Sequence, residues 1–207
     1  MTLRKNSILL LVAAVTLLIA EQIMAVEEAE YTVVRQDGDI EIREYKAAIV
    51  AETIVDDEFE DAGNSAFRTL FKYIGGNNQA QGKIAMTAPV TQVERSEKIA
   101  MTSPVGQQKS ESGWAVSFMM PASYTMDTIP QPTDPEVVIR EVPAQRVAAI
   151  RYSGFWSEEK YREHLEQLQS WIEAEKQEVT GQPVWARYNA PFTPWFMRRN
   201  EILIPVM

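Results

Sequence analysis

The sequence predicts an α+β domain: duplicated strand, strand, helix, strand units form a distorted, barrel-like sheet, antiparallel or mixed, with two helices packed outside it. Three observations lead there. Ile42-Arg43-Glu44 runs through Ala47-Ala48-Ile49 into one helical stripe, and Ile139-Arg140-Glu141 runs through Ala148-Ala149-Ile150 into another, at offsets of 97 and 101 positions. The stripes themselves, Phe59, Ala62, Gly63, Ala66, Phe67, Leu70, Ile74 and then Tyr161, Leu165, Leu168, Ile172, recur at three and four. Around them lie short β-type runs bounded by Gly, Pro and Asp.

The first hairpin is predicted over Tyr31 to Arg35 and Glu41 to Tyr45, because Gln36-Asp37-Gly38-Asp39 is a turn signal between β-type segments. Ala47 to Val55 continues as a strand. Asp56-Asp57 then offers a cap to the first helix, which Gly75-Gly76 ends. Trp114 to Met119, closed by Pro121, is a further strand, followed by Glu136 to Glu141 and Arg146 to Tyr152. Ser157 caps the second helix, Gly181 and Pro183 mark its end, and residues 184–188 and 201–206 supply the last strands.

One string occurs twice. Lys-Ile-Ala-Met-Thr-Ala-Pro-Val at 83–90 returns as Lys-Ile-Ala-Met-Thr-Ser-Pro-Val at 98–105, with one change, Ala88 to Ser103. Each copy joins β-branched residues to a Pro that removes a backbone donor and holds its predecessor extended, so each reads as a short strand ending in a fixed turn. The intervening residues 90–97 are long enough to lay one Met-Thr segment near the other, as a hairpin or a gated pair of loops.

The first copy, following the helix end AFRTLFKYIGGNN, resembles the SOUL family of haem-binding proteins. The blocks at 118–143, RYSGFW at 151–156 and YNAPFTPWFMRRNEILIPV at 188–206 resemble the same family in order, so the likeness runs from about Tyr31 to the last residues. It implies a distorted β-barrel with two helices and reversible, non-covalent binding of haem or a related tetrapyrrole, as carrier or buffer. It also implies that the first helix lines the tetrapyrrole site.

Composition fits one domain: 207 residues with 45% apolar content suffice for an ordinary core. Arg4 and Lys5 precede an apolar run from Ile8 to Ala20, short for a bilayer, and small Ala25 follows. Residues 1–25 are therefore expected to be a signal peptide cut after Ala25, with an uncleaved anchor as the alternative. The domain is then 26–207, exported, periplasmic in a bacterium. The chain has no Cys, so neither disulfides nor lipidation at a cysteine arise. The formal charge is −9, and loss of Arg4, Lys5 and Glu21 with the signal leaves −10. Such a field repels phosphate backbones, so nucleic acid and anionic membranes are not expected partners. Oligomeric state is not readable.

The candidate site residues are His164, Phe59, Gly63, Phe67, Arg68, Met86 and Met101. His164, the single histidine, lies at the edge of the second stripe and is the candidate iron ligand, or a boundary residue without function. Phe59, Gly63 and Phe67 would give a tetrapyrrole rings and a gap on the first helix, or fill the core. Arg68 and Lys72, one turn apart, suit two propionates or a solvated face. Met86, Met101, Met119, Met120 and Met126 offer adaptable thioethers to a flat ligand, or core volume. The aromatic segment Pro191 to Met197, closed by Arg198 and Arg199, forms a lid over a groove or covers a sheet edge. No catalytic constellation is present in the sequence, although the fold also resembles GyrI-related small-molecule domains, some of them hydrolases. Glu52 with Tyr124 or Tyr152 would be the pair for that activity. A protein-interaction module without a small ligand is the third reading.

Overall fold

Strands dominate, and their pairing sets everything else. A computed structural model describes residues 26–81 and 96–207. In chain order the elements are β1 (Glu27–Glu28), β2 (Tyr31–Asp37), β3 (Ile40–Tyr45), β4 (Ala48–Val55), helix α1 (Phe59–Ile74), β5 (Asn78–Gln79), β6 (Thr102–Ser103), β7 (Val105–Ser110) and β8 (Gly113–Met119). There follow β9 (Gln131–Pro132), β10 (Val138–Val142), β11 (Gln145–Tyr152), helix α2 (Glu158–Ala174), β12 (Val184–Arg187), a 3-10 turn (Trp195–Met197) and β13 (Asn200–Pro205).

Nine strands form one sheet in the order β10-β4-β8-β7-β12-β13-β11-β3-β2. Every neighbouring pair in it is antiparallel. The sheet curls as a half-barrel with β10 and β2 as its edges. The runs β3-β4-α1-β7-β8 and β10-β11-α2-β12-β13 occupy matching places on either side of the central β7–β12 pair. Each run holds one strand more than the expected strand, strand, helix, strand unit.

Three local differences separate the structure from the sequence reading. Asp56 and Asp57 do not cap α1; the N-cap is Glu58, and its side chain makes no capping bond. Ser157 caps α2 as expected, accepting a bond from the Lys160 N–H. The strand β7 escaped notice because Val-Gly-Gln-Gln-Lys-Ser carries little apolar pattern, yet Gln107 is buried and donates its amide to the Phe59 carbonyl at 2.8 Å. The first Met-Thr copy, with Met86, lies outside the described residues, as do residues 1–25, expected to be a signal peptide. The second copy forms no hairpin among the described residues: its Thr102–Ser103 pairs in parallel with Glu27–Glu28.

Alternation assigns the two faces of the sheet. Ile42, Val116, Phe118, Trp185, Ile202, Ile204 and Ile150 point to the helices, and their neighbours point away. Two clusters result. One, under α2, gathers Tyr161, Leu168 and Ile172 with Ile40, Ile42, Ile150, Trp185 and Ile202. The other, under α1, gathers Leu70, Tyr73 and Ile74 with Val116, Phe118 and Ile129. Phe59 opens α1 yet belongs to the α2 cluster, stacking on Trp185 at 4.6 Å and on Tyr161 at 5.0 Å. That contact ties the helices together.

On the opposite face, beyond the groove described below, a buried ion pair spans the sheet. Arg43 of β3 meets Glu201 of β13 through two hydrogen bonds, 2.6 and 3.1 Å, and both side chains are almost wholly buried. Arg199 and the Tyr188 hydroxyl also donate to Glu201, at 2.9 Å each. Arg199 reaches on to Glu28 and so fastens β1. Burial alone would raise the Glu201 pKa, but the bonds and charge of Arg43 and Arg199 outweigh it and hold the carboxyl below its ordinary value.

Two outcomes follow from this pair. Arg43→Met leaves Glu201 with Arg199 and the Tyr188 hydroxyl and should cost about 3 kcal/mol in urea unfolding; a loss under about 1 kcal/mol would refute the role. Because the folded Glu201 pKa is depressed, its stabilisation is complete above the unfolded value of about 4.3 and is lost as pH falls below it. Unfolding midpoints should therefore hold steady from pH 7 to about 5 and drop below about pH 4.

Candidate functional site

The concave face of the sheet forms a groove of about 1070 Å³. Its floor is apolar and comes from both halves of the chain: Val50, Val147, Val184, Ala186, Leu203 and Met119. Its rim is acidic. Among the described residues, Glu27, Glu28, Glu30, Glu52 and Glu141 line it against Lys46 and Arg140 alone. Both cations are already engaged, Lys46 with Glu30 and Arg140 with Glu52. Arg140 uses Nε and Nη2, at 3.0 and 2.6 Å, on the same Glu52 oxygen.

The groove brings Glu52 and Tyr124 to one cavity but not Tyr152. The Tyr124 hydroxyl donates to Glu97 at 2.6 Å, and burial together with that bond pushes its pKa up to about 12. Tyr152 belongs to the core on the helix side, so the pairing of Glu52 with Tyr152 is excluded by strand alternation.

A second constellation lies on the helix side, at one end of the sheet. Tyr152, Asn200 and Arg187 stand opposite one another across β11, β13 and β12. All three are buried. Arg187 stacks on Trp185 at 4.6 Å, faces Trp156 at 5.3 Å and gives Nη2 to Gln107 at 2.8 Å. No carboxylate pairs with it among the described residues, and burial lowers its pKa to about 10, so it remains a cation at neutral pH. The Trp156 indole donates to Asn200 at 2.8 Å, and the Asn200 amide donates to the Gly154 carbonyl at 3.3 Å. Arg198 lies 4.3 Å from the Trp156 ring centre and also has no carboxylate partner among the described residues.

Next to Trp156 the surface is aromatic. Phe155 stacks on Trp195 at 5.3 Å, and Trp195 meets Phe196 edge to face at 5.6 Å. Phe155, Trp195, Phe196 and Met197 are at least half exposed, and Phe192 is 89% exposed. Apolar surface of this kind in one place marks a contact site. The segment 191–197, read as a lid or an edge cover, is instead an open shelf held by Arg198, which donates to the Thr193 and Pro191 carbonyls.

Three of the sequence-named residues meet at this end. A Cβ added at Gly63 of α1 would lie 1.9 Å from Arg187 Nη2, so the guanidinium rests directly on the helix backbone there. Phe59 stacks on Trp185 beside it. His164 of α2 lies flat on Tyr152, ring centres 3.9 Å apart, and its Nδ1 is 2.8 Å from the Lys160 carbonyl. The others go elsewhere. Phe67 is half-buried against the α1 cluster and stacks on Phe71, Arg68 is exposed, and Met101 packs against the α1 cluster. The residues that sequence reasoning passed over are Trp156, Trp185 and Arg187. Their one signal was an Arg in the otherwise apolar run Val184-Trp185-Ala186-Arg187, where a charge on the inward face has to be functional or paired.

Gly63→Ala tests this packing. Helix propensity alone would favour Ala by about 1 kcal/mol. With Arg187 in place the variant should instead lose stability, and in an Arg187→Met background it should gain it. Equal effects of Gly63→Ala in both backgrounds would break the link.

With the geometry in place, likeness to known proteins becomes informative. The SOUL heme-binding protein family model matches residues 26–205. Heme-binding protein 2 from Homo sapiens is 31% identical over 176 residues, covering 80% of this chain and 81% of that protein. Heme-binding protein 1 from Xenopus tropicalis is 27% identical over 163 residues, 78% of this chain and 80% of that one. Two solved structures share the fold at low identity. The EcmrR C-terminal domain has a TM-score of 0.54 at 14% identity, covering 86% of this chain and 98% of its own. A hydrolase from Listeria innocua has a TM-score of 0.51 at 10% identity, covering 84% and 94%. The curled antiparallel sheet, its two helices and a match over nearly every described residue agree: this chain belongs to the SOUL heme-binding protein family.

Proposed function

We propose that this protein binds haem or a related tetrapyrrole reversibly and non-covalently, as a carrier or buffer rather than a catalyst. Family membership and the names of the relatives support the ligand class. The observation that carries the reading is the exposed shelf of Phe155, Phe192, Trp195, Phe196 and Met197 beside two guanidinium groups free of carboxylates among the described residues. A macrocycle with two carboxylates needs a flat apolar surface and cations, and this end of the molecule offers both. The groove has the volume, but its five carboxylates and engaged cations oppose a dianion.

Haem would bring an iron centre that accepts a neutral imidazole as ligand. His164 is the residue that would hold the iron: Nδ1 lies at the Lys160 carbonyl, which fixes the ring and would leave Nε2 for the metal. Phe155 and Trp195 would cover one face of the ring and exclude water from it. Arg198 would neutralise charge at the rim.

Titration of the purified protein with hemin should give a saturable shift of the Soret band and a higher melting temperature. The double change Phe155→Ala with Trp195→Ala should weaken binding at least tenfold, and His164→Ala should move the Soret maximum. An unchanged spectrum and melting temperature at micromolar hemin would sink the proposal. We also propose export, which the basic start and apolar run before Ala25 support; an intact mass retaining residues 1–25 in protein recovered outside the cytoplasm would contradict cleavage.

A further inference from the structure

Among the described residues, four buried side-chain polar atoms lack a hydrogen-bond partner, and three of them sit together: Arg187 Nε, Tyr152 Oη and Trp185 Nε1. Each carries a proton to donate. The Trp185 indole lies close to the Tyr152 hydroxyl but outside hydrogen-bond geometry, and Arg187 stacks on the Trp185 ring at 4.6 Å. A buried donor without an acceptor costs about 1–3 kcal/mol, and three in one place, one of them charged, is a cost that folded proteins avoid. Neighbouring groups supply no relief. Gln107 Oε1 is already taken by Arg187 Nη2, Asn200 Oδ1 by Trp156, and no carboxylate is paired with Arg187 among the described residues.

Three unpartnered donors side by side, of which only the Tyr152 hydroxyl can also accept, suit an anion with two oxygens. We propose that Arg187, Tyr152 and Trp185 form a receptor for one carboxylate of the bound ligand. The inference rests on the tetrapyrrole reading and deepens it, since it makes the site selective for tetrapyrroles with a free carboxylate over their esters. A carboxylate would accept from Arg187 and from the Tyr152 hydroxyl and Trp185 indole, and it would neutralise the buried guanidinium. Trp156 joins the receptor to the shelf, since its ring meets Arg187 on one hand and Arg198 on the other. Gly63 has a reason here: the guanidinium can lie in the receptor only where α1 has no Cβ. Tyr152 is kept in place by His164 stacked on it, so ligation by His164 and capture of the carboxylate would involve touching residues.

The test compares hemin with hemin dimethyl ester on the full protein, using absorbance for affinity and the Trp185 indole N–H resonance, assigned through Trp185→Phe, for location. Hemin should bind at least tenfold tighter than the ester. Iron-free protoporphyrin should displace the Trp185 resonance while its dimethyl ester leaves it in place. Arg187→Met should erase the preference for the free acid, and Arg187→Lys should retain part of it. Equal affinity for acid and ester, or a Trp185 resonance unmoved by protoporphyrin, overturns the receptor while leaving tetrapyrrole binding intact. If neither hemin nor its ester binds, the tetrapyrrole reading falls. Millimolar propionate then decides the receptor separately, since a shift of the Trp185 resonance keeps it and no shift ends it.

Discussion

Strand alternation is the constraint on which the rest of this structure depends. In a nine-stranded antiparallel sheet every second residue is committed to one face, and here the two faces have different solvents. One is covered by α1 and α2 and carries the two apolar clusters. The other is the floor of an acid-rimmed groove. A residue can serve only one of them, which is why Tyr152 and Glu52 cannot share a site although both are in long, well-paired strands. The same rule puts Arg187 among aromatic rings: it follows Trp185 by two, and Trp185 belongs to the core.

Among the described residues two arginines are buried, and they are treated in opposite ways. Arg43 is surrounded by acceptors, from Glu41 and Tyr45 to the two oxygens of Glu201, and its charge is raised in stability by them. Arg187 has the Trp185 and Trp156 rings beside it, one amide oxygen, and no anion among the described residues. The first arrangement fixes strand β3 and strand β13 to one geometry and asks nothing of a ligand. The second is unfavourable by itself and becomes favourable only when an anion joins it. A charge buried for architecture and a charge buried for recognition are thus distinguishable by their acceptors.

Much of the architecture was legible in the sequence because it follows from local pattern. The stripe from Phe59 to Ile74, the Ser157 cap and the alternating runs at β4, β8 and β11 state their own periods. The fold class follows from them. What stayed hidden depends on partners distant along the chain. The strand β7 is polar in composition and exists because β8 and β12 flank it. The site was half visible: Phe59, Gly63 and His164 stood out by residue type and position on the helices, but Arg187 and Trp156 acquire meaning only from the register that sets Tyr152, Asn200 and Arg187 in a row. Phe67, Arg68 and Met101 show the reverse, since belonging to the same helix or repeat as a site residue does not bring a side chain to the site.

The two matching runs of the chain do not fold side by side as separate halves. The strand β3 of the first pairs with β11 of the second, β10 of the second pairs with β4 of the first, and β7 meets β12 in the centre. Each run thus lends its opening strand to the other, and three seams of the sheet join one run to the other. Closing such seams is slow and collective, because the entropy of long loops is lost before the contacts repay it. Neither run can loosen without baring an edge of the other. The row of Tyr152, Asn200 and Arg187 across β11, β13 and β12 therefore has no half-formed intermediate of its own: it exists when the whole sheet does.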